Sequence, residues 1–169
     1  PYPMNKERNI FSKILVACND SRVSEDFLFI NDDHFLLQPM EDIPYYGNGT
    51  IEQFLKRRVT TYTMSAYNTK KVLQAKSLPT NFFDIHAPII YNKQKFLELQ
   101  SYAWNIKTGY IIKSLYCNTY GIAPVQYSDC KLQIPTNEEA IRDRIKGRAF
   151  FSMGDGAINP NLRNVMEEL

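Results

Sequence analysis

Apolar residues recur at Ile10, Phe11, Ile14, Leu15 and Cys18, the spacing of one helical face, and predict a helix over Asn9 to Cys18. Asn19-Asp20-Ser21 closes it. Phe27 to Ile30 is an unbroken apolar run with the aromatic and β-branched content of a buried strand. A helix feeding directly into a core strand is the unit of an α/β fold. Pro39 to Thr50, rich in Pro, Gly, Asn and Tyr, reads as an irregular loop. Thr50-Ile51-Glu52-Gln53 has the form of a capping box opening a short helix through about Arg58. Asn68 is expected to cap a second helix, Thr69 to Lys76, which stops before Leu78-Pro79.

Phe82 to Ile85 is the next strand by pattern and delivers His86. Asn92 caps a helix from Lys93 to about Ala103, and another runs from about Gly109 to Asn118. Pro124 to Leu132 reads as extended. Thr136-Asn137-Glu138-Glu139 is a second capping box, and its helix ends near Lys146-Gly147, where Gly is a common stop. Arg148 to Met153 is a late strand. Asn159-Pro160 opens the last helix, Pro needing no donor in a first turn. There is no internal repeat and no low-complexity segment.

The first strand ends abruptly in Asn31-Asp32-Asp33-His34. Adjacent carboxylates repel, and burying them unpaired costs several kcal/mol. A divalent cation with an anionic substrate relieves both problems, because hard oxygen ligands suit Mg²⁺ or Mn²⁺. An Asx-rich turn with both acids solvated explains the same residues. His34 is either a third ligand or, turned away from Asp33 by strand alternation, a packing and hydrogen-bonding residue. His86 is the second of only two histidines; metal ligation, a hydrogen bond to substrate and general base are all open to it. Asp84, two residues earlier on the same predicted face, can orient it or act as base itself. Asp155 sits in Met153-Gly154-Asp155-Gly156, either a plain β-turn or a mobile carrier for a carboxylate. Lys56, Arg57 and Arg58 form a basic run open to a donor diphosphate or to solvent, and Arg142, Arg144, Lys146 and Arg148 form another. Tyr45, Tyr46 and Trp104 can stack on sugar or base rings, although Trp104 in a helix would belong to the core.

Three blocks carry a resemblance. Phe29-Ile30-Asn31-Asp32-Asp33-His34-Phe35 resembles the metal-binding segment of nucleotide-sugar transferases with the GT-A fold, and more narrowly the acidic block of Stealth-type sugar-phosphate transferases and related bacterial and phage glycosyltransferases. Asp84-Ile85-His86-Ala87-Pro88 is similar to their His-x-Pro segment, and Phe151 to Asn159 to a segment near their C-terminus. Ile89 stands where Stealth proteins usually have a further His, which favours ordinary glycosyl transfer over phosphosugar transfer. The resemblance implies an α/β chain of GT-A-like, three-layer α/β/α architecture, with Asp33 on Mn²⁺ or Mg²⁺, Asp32 on the donor or sharing the cation, and His86 on the metal or acceptor side. The partners it implies are a nucleotide-sugar donor, a UDP-sugar foremost, and an acceptor glycan or other hydroxyl compound. Only residues 1–31 precede Asp32, and the chain starts at Pro1. By the same resemblance, part of the nucleotide-binding half lies outside this chain or is abbreviated.

Composition narrows these expectations little. Its 169 residues fit one domain with a substantial core. Hydrophobic residues make 44% and charged ones 22%, and the net charge of +2 gives no strong nucleic-acid footprint. Cys18, Cys117 and Cys130 cannot all pair within the chain and lack metal spacing, which points to reduced thiols and a cytoplasmic setting. No apolar run reaches the roughly 20 residues of a membrane span, and no signal peptide is expected. The expected activity is metal-dependent transfer of a sugar from a nucleoside diphosphate to an acceptor hydroxyl. Sugar-phosphate transfer in capsular polysaccharide synthesis, a metal-dependent phosphoesterase and a non-catalytic binding domain are the alternatives.

Overall fold

The computed structural model describes residues 5–56 and 60–169. The expected donor-binding residues Arg57 and Arg58 lie outside the described residues. In chain order the elements are α1 (Lys6–Cys18), β1 (Asp26–Phe29), β2 (His34–Leu36), β3 (Tyr46–Gly47), α2 (Ile51–Leu55), α3 (Thr61–Ala75), β4 (Ile89–Asn92), α4 (Lys93–Glu98), α5 (Ile112–Thr119), β5 (Val125–Gln126), β6 (Lys131–Leu132), α6 (Glu138–Ile145), β7 (Phe150–Met153) and α7 (Pro160–Glu167). The described chain is mixed α/β, with strands distributed among three small sheets: β1 with β4, β3 with β5, and β2-β7-β6. No helix among the described residues is long and apolar enough to cross a membrane.

The chain forms two compact units. The first takes the residues up to Leu28, Pro44–Ile85 and Ile89–Tyr127; the second takes Phe29–Ile43, His86–Pro88 and Ser128–Leu169.

Aromatic packing dominates the first unit. Asn5 caps α1, its side chain accepting from the Arg8 amide, and the helix buries Phe11 and Ile14. Phe11 stacks on Trp104 with ring centroids 3.6 Å apart, and Tyr91 lies against Phe96 and Tyr116. Trp104 belongs to an irregular segment rather than a helix, and its Nε1 donates to the Leu99 carbonyl. The Thr50 capping box forms as the sequence predicts, Thr50 and Gln53 satisfying each other's backbone donors. The next helix starts earlier than predicted because Thr60 and Thr63 form a second reciprocal box. Asn68 therefore sits within α3 and instead reaches Thr108 Oγ1 and the Gly109 carbonyl.

Phe82 to Ile85 is not a strand, although Phe82, Phe83 and Ile85 are buried as a strand's apolar residues would be. Its first residue pairs with the loop before α2, the Phe82 amide donating to the Gly49 carbonyl and the Phe82 carbonyl accepting from the Asn48 amide, and further groups use side chains. Asn118, fully buried, accepts from the Asn81 amide and donates to the Asn81 carbonyl. Ser114 Oγ accepts from the Phe83 amide. Buried amides and carbonyls must be paired, and side chains of α5 meet that requirement here. β1 also departs from expectation: Leu28 and Ile30 are more than 40% exposed, so this is a half-exposed strand with alternating burial.

The second unit is a three-stranded sheet backed by two helices. β7 is central, antiparallel to β2 and parallel to β6. Phe35, Phe151, Met153 and Leu132 face a core completed by Ile141 and Ile145 of α6 and Leu162 and Val165 of α7. Asn137, not Thr136, caps α6, accepting from the Ala140 amide. Asn159 caps α7 with Pro160 in its first turn, as predicted. Strand alternation sends the remaining residues to the opposite face. There His34, Ser152 and Lys131 form a row across β2, β7 and β6, Ser152 being in register with both neighbours.

Candidate functional site

That polar row is the base of the candidate site. Asp32 and Asp33 do not extend a strand; they occupy the turn before β2, which the His34 amide closes on the Asn31 carbonyl. The Asp33 carbonyl then accepts from the Met153 amide, anchoring the turn to β7. Asp32 is exposed, whereas Asp33 turns its carboxylate inward. Its Oδ2 accepts from Lys131 Nζ at 2.9 Å, and its Oδ1 lies 3.6 Å from His34 Nε2. Oδ1 is buried and has no hydrogen bond among the described residues.

His86 enters from the short segment His86–Pro88 that belongs to this unit. Its ring meets that of His34 edge-on, centroids 6.4 Å apart. Nδ1 lies 2.8 Å from Asp129 Oδ2, and the His86 backbone amide donates to the same oxygen at 3.4 Å. Nε2 has no hydrogen-bond partner among the described residues, and the side chain is 35% exposed. Asp129 Oδ1 and Ser152 Oγ are buried without a hydrogen-bond partner among those residues. Two carboxylates, two imidazoles, one ammonium and one hydroxyl thus converge within one unit.

The charges are balanced by contact rather than by solvent. Burial pushes the Asp33 carboxyl up, but the Lys131 hydrogen bond and charge, with the two imidazoles, outweigh it and hold the group below the ordinary carboxylate range. Asp129 behaves alike: burial raises it, and the bond and charge of His86 bring it below its usual value.

Asp33 and His86, both expected from the sequence, lie in one unit on either side of His34. Asp155 is exposed in the 3₁₀ turn Asp155–Ala157 just after β7. Asp84 does not orient His86. It is held by the Tyr62 hydroxyl within the first unit, and Asp129 pairs with the imidazole instead. Sequence reasoning missed Asp129, Lys131 and Ser152. A usable signal existed for the first two: Cys130 and Leu132 are the apolar, inward members of an alternating segment, which sends Asp129 and Lys131 to the other side.

Among the described residues, no three His, Cys, Asp or Glu side chains converge to hold a metal ion between them. Mg²⁺ often needs only one or two carboxylates, with substrate phosphates and water completing its shell. The buried Asp33 Oδ1 is a hard anionic oxygen of the kind such a cation takes, and the exposed Asp32 carboxylate precedes it. The donor set fits that sparse mode.

No protein-family model and no curated protein sequence matches this chain.

Proposed function

We propose that the chain is a metal-dependent glycosyltransferase of GT-A-like design, moving a sugar from a nucleoside diphosphate, a UDP-sugar foremost, to an acceptor hydroxyl. The observation that carries this reading is the run of contacts within one unit from Lys131 through Asp33 and His34 to the ring of His86, with the buried Asp33 Oδ1 unbonded among the described residues. Asp33 is the residue assigned to Mn²⁺ or Mg²⁺, with Asp32 beside it on the donor. When bound, the cation would neutralise charge developing on the leaving diphosphate. Lys131, already within reach of Asp33, adds a second positive charge on that side. His86 faces the acceptor, because Asp129 occupies its Nδ1 and leaves Nε2 for another partner. Breaking the sugar–phosphate bond and deprotonating the incoming hydroxyl are then divided between the two ends of the cluster.

The test is to incubate the protein with Mn²⁺ and a panel of nucleotide sugars while recording melting temperature and released nucleotide. A ligand that binds only the folded state at 100 times its Kd adds about 2.7 kcal/mol. For a chain of this size that is roughly 5–10 °C. A shift requiring both metal and nucleotide, followed by nucleoside diphosphate release with acceptor, supports the reading. Monophosphate release would instead indicate sugar-phosphate transfer. An unchanged melting temperature and no release with any donor would reject both.

A further inference from the structure

We propose that Asp129 is the positioning residue that fixes His86 as the proton acceptor for the incoming hydroxyl, and that transfer therefore inverts the anomeric centre. The inference rests on the glycosyltransferase reading and adds to it a residue, a tautomer and a stereochemical outcome. Its basis is geometry. Asp129 Oδ2 receives both the His86 ring at Nδ1, 2.8 Å, and the His86 backbone amide, 3.4 Å. Two contacts to one oxygen restrain the ring as well as its proton. A carboxylate accepts only, so the neutral imidazole carries its hydrogen on Nδ1 and presents a bare Nε2. Nε2 is the nitrogen without a hydrogen-bond partner among the described residues, on a side chain open enough to meet an acceptor. His34 lies edge-on to the ring, centroids 6.4 Å apart.

The step balances simply. The acceptor O–H gives its proton to Nε2 as its oxygen bonds to the sugar's anomeric carbon. The bond from that carbon to the diphosphate breaks, and its electron pair leaves on the diphosphate oxygen. Asp129 stays ionised and stabilises the imidazolium without taking the proton. In this concerted displacement the acceptor oxygen enters opposite the departing diphosphate, so the anomeric centre is inverted.

The protein has two histidines, so ¹⁵N-histidine NMR resolves both rings, and His34→Gln and His86→Gln assign them. The spectra are recorded at pH 8, above the ordinary histidine pKa of about 6.5. The expected result is an Nδ1–H tautomer for His86 in the wild type, lost in Asp129→Ala and kept in Asp129→Glu. In parallel, Asp129→Ala should lower kcat by about 10²–10⁴-fold. Binding of Mn²⁺ with UDP should change less than threefold, Asp129→Glu should recover part of the rate, and the product should carry inverted configuration. A wild-type His86 protonated at Nε2, or a tautomer indifferent to Asp129→Ala, overturns the proposal. So does lost tautomer preference with unchanged kcat, which would make the pair structural, or retention of configuration. These outcomes leave the transferase reading standing. A wild-type protein that binds and transfers nothing removes that reading and this role together, while the NMR still reports whether Asp129 sets the tautomer.

Discussion

Lys131 and Asp33, 98 positions apart in the chain, meet at 2.9 Å with only 20% and 26% of their side chains exposed. The pair links the edge strand β6 to the turn that presents the acids. Asp33 Oδ1 already lacks a hydrogen bond among the described residues, so removing the ammonium strips this carboxylate of its best partner. Lys131→Met should therefore cost about 1–3 kcal/mol at pH 7. The sign of the pH dependence follows from the depressed carboxyl. Its stabilisation is present above the unfolded-state value of about 3.9 and is lost as pH falls through the lower folded value. Urea midpoints should show a large penalty for Lys131→Met at pH 7 and a much smaller one near pH 3. An equal penalty at both would mean the ion pair is not its source.

The local parts of this arrangement were readable from sequence, and the long-range parts were not. The Thr50 box, the Asn159-Pro160 start and the apolar stripe of α1 depend on neighbours within four residues, and they form nearly as expected. The Asp33 turn and His86 were visible as unusual polar residues beside apolar runs. Their partners were not, because nothing local links His86 to Asp129, 43 positions away. Asp84 was the nearer carboxylate in sequence, yet the Tyr62 hydroxyl claims it. Phe82 to Ile85 misled for a related reason. Its pattern reports burial correctly, but the backbone pairing stops after one bridge and Phe82, and side chains of α5 serve Asn81 and Phe83 beside it.

Asn118 ties both backbone groups of Asn81 to α5, which makes it sensitive to mutation. Its Nδ2 donates to the carbonyls of Asn81 and Ser114, and its Oδ1 accepts from the Asn81 amide. Asn118→Leu keeps the volume but takes this partner from the Asn81 amide and carbonyl, at about 1–3 kcal/mol for each. The expected total is about 2–5 kcal/mol in chemical denaturation, with faster amide exchange at Asn81. A variant within 0.5 kcal/mol of wild type would show that water replaces the amide without cost.

Gly47 and Gly121 separate two reasons for having no side chain. A Cβ at Gly47 would stand 2.8 Å from both the Phe82 carbonyl oxygen and Pro124 Cβ, where backbone and a ring must move. Gly121 has a φ of +63° and open space around it. Gly121→Ala should cost only the conformational penalty, about 1 kcal/mol. Gly47→Ala should cost about 1–3 kcal/mol through overpacking and loosen the β3–β5 pairing. Matched denaturation curves decide it: a Gly47→Ala loss no larger than that of Gly121→Ala would mean the neighbouring segments shift freely.

Asp33 and Asp32 should differ sharply toward ligand, because only the first is turned into the cluster. Asn at position 33 keeps an oxygen that Lys131 can donate to, so the fold should lose little beyond the charge interaction. The negative charge that a divalent cation requires is gone, however. The quantity to read is the rise in melting temperature caused by Mn²⁺ with UDP, not the melting temperature itself. For Asp33→Asn that rise should fall from roughly 5–10 °C to below about 2 °C. Asp32→Asn, changing an exposed group, should retain at least half of it. If Asp33→Asn kept the full rise while Asp32→Asn abolished it, the cation would sit on the outer carboxylate, and Asp33 would be a structural partner of Lys131 alone.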